Sequence, residues 1–132
     1  MVVRKDRADK VGGGVCAFIS NKMRCLELDL CNLSADLDIV CFDIVMKSDK
    51  YRFIVFYRRP KEGLLGRVEA EALCNALQVC TAGAGATTTF ILTDLNCPNV
   101  DWNRPMQCGK YVDRLFVNFM LSNGFTVCDH AH

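Results

Sequence analysis

Proline, histidine and tryptophan are scarce in this sequence of 132 residues, with three, two and one respectively, and its charges almost cancel: 16 Lys+Arg against 15 Asp+Glu. A net charge of +1 gives no global field that would announce a nucleic-acid or membrane partner, although a local basic patch stays open. No stretch approaches the ~20 apolar residues that cross a bilayer. The opening Arg4-Lys5-Asp6-Arg7 is charged where a signal peptide carries its apolar stretch. No membrane partner is expected, and the location expected is intracellular, nuclear or cytoplasmic. Repeats, linkers and low-complexity blocks are absent as well.

What the sequence holds in excess is cysteine and apolar side chains. Hydrophobic residues make up 51%, which excludes a disordered or collagen-like chain and points to a folded core. The nine cysteines are odd in number, show no C-x-x-C spacing and form no cluster beside a histidine pair. A zinc site or a disulfide framework therefore lacks its signature. Most lie in apolar stretches, as expected for reduced thiols acting as small hydrophobes.

The order of elements follows from hydrophobic periodicity. Residues 1–10 are polar and expected to be extended or frayed. Gly12-Gly13-Gly14 reads as a tight turn rather than a phosphate loop, because a strand follows it and not a helix. Strands are expected over 15–19, 25–30, 37–46 and 51–57, with a turn at Ser48-Asp49-Lys50. Short connections between the four favour an antiparallel meander. Residues 65–82 then place Leu65, Val68, Ala72, Leu73, Ala76, Leu77 and Cys80 at helical spacing, closed by Gly83-Ala84-Gly85. A strand is expected over 87–93, a loop over 96–105, and a second helix over 110–123 with Tyr111, Val112, Leu115, Phe116, Phe119 and Met120 on one face. Meander, helix, strand and helix make a mixed α/β fold within one domain spanning 1–132.

Asp94 and Asn96 stand where the last strand runs out. Two residues apart in an extended chain, they would share the face of Phe90 and Leu92. A row that is apolar and then abruptly polar is how open sheets present reactive groups at a strand end. The same letters also suit an Asx turn leading into Cys97-Pro98. Tyr57 ends an apolar strand and is equally a packing residue, and Trp102 reads as a loop aromatic pinned on the core. Arg4, Lys5, Arg7, Lys10, Arg58 and Arg59 either touch a phosphate backbone or form solvated charge runs.

Four segments, in order, carry a resemblance. Residues 3–19 read V-R-K-D-R-A-D-K-V-G-G-G-V-C-A-F-I, and 53–60 read F-I-V-F-Y-R-R-P. Residues 91–102 read I-L-T-D-L-N-C-P-N-V-D-W, and 116–126 read F-V-N-F-M-L-S-N-G-F-T. The chain resembles the endonuclease/exonuclease/phosphatase family. It looks most like the endonuclease domain of non-LTR retrotransposons, whose members carry R-x-D-R…G-G-G-V, Y-R-P-P, G-D-F-N-x-P-x-I-D-W and F-x-x-F-L-x-x-N-G-L. The resemblance spans residues 4–126.

It implies part of a four-layer α/β sandwich and a metal-dependent, phosphodiester-cleaving activity on DNA. It places the water-orienting carboxylate at Asp94, the phosphate-binding amide at Asn96 and a phosphate-contacting hydroxyl at Tyr57. Arg7, Arg58 and Arg59 become candidate nucleic-acid contacts. Departures are Thr93 for the family's glycine, Leu95 for its phenylalanine and Arg59 for its first proline. The family's metal-binding glutamate, together with an asparagine on the first strand, precedes the segment where this sequence starts. Its closing S-D-H lies beyond the point where this one stops, and Asp129-His130 follows Gly124 too soon to serve as that pair. The expectation is therefore a fragment that is inactive alone, with the magnesium of the complete family domain bound weakly here and DNA binding weak or lost. A partial sandwich would leave apolar sheet uncovered, so self-association, a non-catalytic assembly module or a decayed mobile-element remnant are the alternatives.

Overall fold

The β-branched run Asp38–Met46 is buried almost throughout and forms the middle of the molecule. The structure is a computed structural model, and it describes residues 1–8, 11–33, 36–85 and 87–128. Lys10 and the Asp129-His130 pair lie outside the described residues. In order, the elements are β1 (Val2–Lys5), β2 (Val15–Phe18), β3 (Arg24–Glu27), β4 (Asp38–Met46), β5 (Asp49–Tyr57), α1 (Gly63–Ala82), β6 (Thr88–Asp94), a short 3-10 turn (Pro105–Gln107) and α2 (Tyr111–Ser122). The fold is mixed α/β.

The expected four-strand meander divides in two. Strands β3, β4 and β5 do run antiparallel in succession, and β6 then joins β5 in parallel, giving the order β3-β4-β5-β6. β2 instead pairs antiparallel with β1, a strand in the segment expected to be extended or frayed. The alternation Val2-Val3-Arg4-Lys5 was too short to read alone; its pairing with β2 buries Val3 completely. The β4–β5 turn also falls earlier than expected. Met46 faces Asp49, so Lys47 and Ser48 make a two-residue hairpin turn, with Lys47 left-handed at φ 55°.

Period-two alternation then sorts the sheet's side chains onto two faces. Ile39, Cys41, Ile54 and Phe56 face the helices and meet Ala70, Leu73, Ala76, Leu77, Phe116 and Phe119. Val40, Phe42 and Ile44 face the opposite way and pack against Val3 and Ile19 of the small sheet. The result is three layers: two helices, a four-stranded sheet and a two-stranded sheet. The small sheet reaches β4 and β5, and it leaves Phe90 and Leu92 of β6 exposed on that same face.

The helices keep their expected extents and most of their expected inward faces, Leu73, Ala76, Leu77 and Cys80 in α1 and Phe116 and Phe119 in α2, but each departs in its first turns. The inward stripe of α1 is Gly66, Ala70, Leu73, Ala76, Leu77 and Cys80, while Leu65 is 74% exposed and Val68 also points outward. Small residues decide the phase. A Cβ at Gly66 would stand 2.3 Å from the Lys61 carbonyl oxygen, so the helix start lies against its own entry loop. In α2, Tyr111 turns to the surface, where its hydroxyl donates to Glu71 Oε1 (2.9 Å) and its ring lies under Arg67.

The β1–β2 connection depends on glycine. Gly12, Gly13 and Gly14 are all left-handed, with φ of 86°, 87° and 100°. A Cβ on Gly14 would lie 2.2 Å from the Lys5 carbonyl oxygen, a backbone atom that cannot step aside. Gly14→Ala is therefore expected to destabilise the protein by about 2 kcal/mol or more in urea unfolding, from the disallowed backbone and the overlap together. Gly12→Ala, whose Cβ meets nothing within 4 Å, should cost about half that.

Candidate functional site

Three side chains form a polar row across one end of the large sheet. Asp38 opens β4 opposite Tyr57, and Tyr57 closes β5 opposite Asp94 at the end of β6. Register partners point to the same face, so Asp38, Tyr57 and Asp94 stand side by side at the ~4.8 Å spacing of neighbouring strands. That face is the one opposite the helices. Tyr57 and Asp94 sit together at the C-terminal ends of the two parallel strands, the end where open α/β sheets place ligands. Asp94 is exposed and Tyr57 half-buried.

Asn96 joins them by a route the sequence did not reveal. β6 ends at Asp94, and Asn96 is not extended but left-handed, with φ 51°. Its amide nitrogen donates to the carbonyl of Arg58. Asp94 and Asn96 nevertheless line one groove of about 800 Å³ that wraps the β6 edge, together with Leu92, Trp102, Met120 and Phe125. Trp102 is half-buried and packs against the helix-side core, as expected of a pinned loop aromatic. An amide nitrogen carries two hydrogens, so the bond to Arg58 uses one of them.

The three arginines expected to meet nucleic acid are bound up within the protein. Arg58 is 9% exposed and follows Phe56 on the helix side of the sheet. Its Nη1 lies 3.2 Å from Asp113 Oδ1, 3.3 Å from the Leu95 carbonyl and 3.2 Å from that of Asn96, and its guanidinium sits over the Phe116 ring. A guanidinium so buried and engaged packs on the helix side of the sheet, away from the face that carries Asp94. Arg7 and Arg59 converge on buried Asp38 instead. Arg7 Nη2 donates to Oδ2 at 2.6 Å and Arg59 Nε to the same oxygen at 3.2 Å. Arg59 also donates to the Asp36 carbonyl, and Arg7 lies 5.9 Å from the centre of the Tyr57 ring under the Gly13 turn.

A reactive thiol is not part of this arrangement. Cys97 Sγ is 3.1 Å from Arg58 Nη1, but burial first, and then the hydrogen bond with Asp113, push its thiol up to about 12. It is protonated at neutral pH and is no nucleophile. Nor do the described residues assemble a cation site: none of their His, Cys, Asp and Glu side chains cluster in threes, and Asp38, two strands from Asp94, is committed to two arginines. The chemistry available is that of a lone carboxylate accepting a proton from water beside two neutral donors, an amide and a phenol.

The chain matches no protein-family model, no curated protein and no solved structure.

Acid should expose the ion pairs behind this site. Burial alone would raise the Asp38 carboxyl, but the bonds from Arg7 and Arg59 outweigh it and hold the group below its ordinary 3.8. At Asp43 the Arg52 bond is the leading influence and lowers it likewise. Folded values below unfolded ones mean that both pairs contribute fully above the ordinary carboxyl value and less as pH falls through the folded values. Urea midpoints should stay level from about pH 7 to 5 and drop below about pH 4. Asp38→Asn should be less stable at neutral pH and show a shallower acid loss.

Proposed function

We propose that this chain is the central part of a phosphodiester-cleaving endonuclease domain of retrotransposon type, acting on DNA within the cell and inactive without residues outside the sequence. The observation that carries the reading is the pairing of Tyr57 with Asp94 at the ends of parallel strands, with Asn96 lining one groove together with Asp94. Asp94 would orient and deprotonate the attacking water. The Asn96 amide and the Tyr57 hydroxyl would hold the phosphate oxygens as uncharged donors, which attract the anion without adding charge to the neighbouring carboxylate.

Two measurements test this. In fluorescence anisotropy at low salt, the chain should bind a short DNA duplex weakly. Tyr57→Phe should weaken that binding by about tenfold, the worth of one hydrogen bond to a charged oxygen. Asp94→Asn should tighten it a few-fold, roughly what removal of one nearby like charge gives in water. Unchanged affinity in both variants refutes the site. In a supercoiled-plasmid assay with magnesium the chain alone should not nick, and nicking abolished by Asp94→Ala would overturn the claim of inactivity.

A second reading, an assembly module, is favoured by apolar surface left bare. Phe18 on the outer face of the small sheet is 82% exposed, and Leu92 on β6 is 53% exposed beside Phe90. Light scattering across a concentration series should then show self-association that Phe18→Ser combined with Leu92→Ser reverses. A single monomeric mass at every concentration removes this reading.

A further inference from the structure

Residue 58 touches every residue from 94 to 97. Its backbone N–H donates to the Asp94 carbonyl at 3.1 Å, extending the parallel ladder one step past the strand ends. Its own carbonyl accepts the Asn96 side-chain amide. Its guanidinium Nη1 reaches the carbonyls of Leu95 and Asn96 and the thiol of Cys97. The same nitrogen lies 3.2 Å from Asp113, a buried carboxylate in the first turn of α2. One guanidinium thus ties the tip of β6 to a helix on the opposite face of the sheet.

This tip needs holding. Asn96 is one of two described non-glycine residues with positive φ, a conformation uncommon for L side chains, which asparagine tolerates better than most but which local bonds must still select. The other, Lys47, sits in a hairpin turn closed by the Met46–Asp49 pairing. Asn96 follows an edge strand and has no ladder partner beyond Asp94. Its side-chain bond and the bond to its carbonyl both go to Arg58.

We infer that Arg58, held by Asp113 and lying over Phe116, is the positioning residue that fixes the left-handed turn at Asn96, and with it the placement of the Asn96 amide beside the Asp94 carboxylate. In its significance for chemistry the inference rests on the proposed function; in its physical content it does not. The guanidinium does the work from the helix side and need not reach the groove. Lysine would keep a charge near Asp113, but its flexible stem has no plane to lie over Phe116, and that stacking is what aims Nη1 at the carboxylate and the turn carbonyls.

The test reads the turn with no nucleic acid present. Isotope-labelled wild type is compared with Arg58→Lys, Asp113→Asn and, as control, Arg52→Lys, which disturbs the other buried pair at the far end of the sheet. In Arg58→Lys the amide resonances of 94–97 should move and the Asn96 side-chain amide should lose its slow exchange. In Arg52→Lys the protein should be less stable but both signatures should stay. Resonances of 94–97 that stay fixed in folded Arg58→Lys, or that move equally in Arg52→Lys, overturn the inference. Should Arg58→Lys fail to fold, Asp113→Asn keeps the shape of the partner and removes its charge; the same signatures should move less far, and their absence overturns the inference equally. A wild type that binds no duplex while these signatures respond sinks the nuclease reading and leaves the clamp standing.

Discussion

A charge buried in protein must find its counter-charge, and this requirement organises both ends of the large sheet. Asp38, Asp43, Arg52, Arg58 and Asp113 are all buried. Asp43 and Arg52 face each other across β4 and β5 and form a two-point bond at 2.8 and 2.9 Å, while Arg52 Nη1 also donates to the Cys80 carbonyl near the end of α1. At the other end Asp38 draws Arg7 from beyond β1 and Arg59 from beyond β5, and Asp113 draws Arg58 toward α2. Arg7–Asp38 and Arg58–Asp113 join segments 31 and 55 positions apart and so fix how one layer seats on the next, whereas Asp43–Arg52 lies within one hairpin and reaches the helix layer through the Cys80 carbonyl. Replacing one partner would leave the other charged, dry and alone, which costs several kcal/mol.

That constraint also marks the limit of sequence reading. Helix extents and the longer strands were legible because apolar periodicity is a local signal, whereas the four-residue β1 was too short to carry one and β3 ends at Glu27, earlier than its alternation suggests. The inward stripe of α1 was legible from Leu73 to Cys80 but not in the first turns, since Leu65 and Val68 are as apolar as the residues that face the core; there Gly66, close against the entry loop, sets which side turns inward. The arginines were harder still. A guanidinium has the same letter whether it meets solvent, phosphate or a carboxylate 31 positions away, as Arg7 does. A faint signal existed for Arg58: continuing the alternation of Phe56 past the strand end puts it on the helix side, whereas Arg59 continues the face of Tyr57.

The Asp94–Asn96 juxtaposition was reached from a premise the chain does not obey. Extended geometry would align the two side chains through the pleat; the backbone instead turns left-handed, and the amide is placed by its bond to Arg58. The Asx-turn alternative caught part of this, because asparagine tolerates that region better than most residues. What neither view contained was Tyr57 as the neighbour of Asp94. That adjacency needed the parallel register of β5 and β6, a pairing between strands separated by a whole helix.

Internal pairing has a consequence for recognition. With Arg7, Arg58 and Arg59 spent on Asp38 and Asp113, the cationic content at this end of the sheet is largely neutralised from within. Under the proposed function, attraction for a polyanion could not rest on those guanidiniums, and counterion release, the usual source of tight and salt-sensitive binding, would be weak. What remains is an exposed carboxylate that shares its groove with the Asn96 amide and has the Tyr57 phenol as its register partner on the next strand. Under the proposed function such a set would discriminate by geometry more than by charge: it would hold a phosphate only where both neutral donors point at its oxygens, and repel one that arrives misaligned against Asp94. The fixity of the turn therefore matters more to this site than its electrostatic potential.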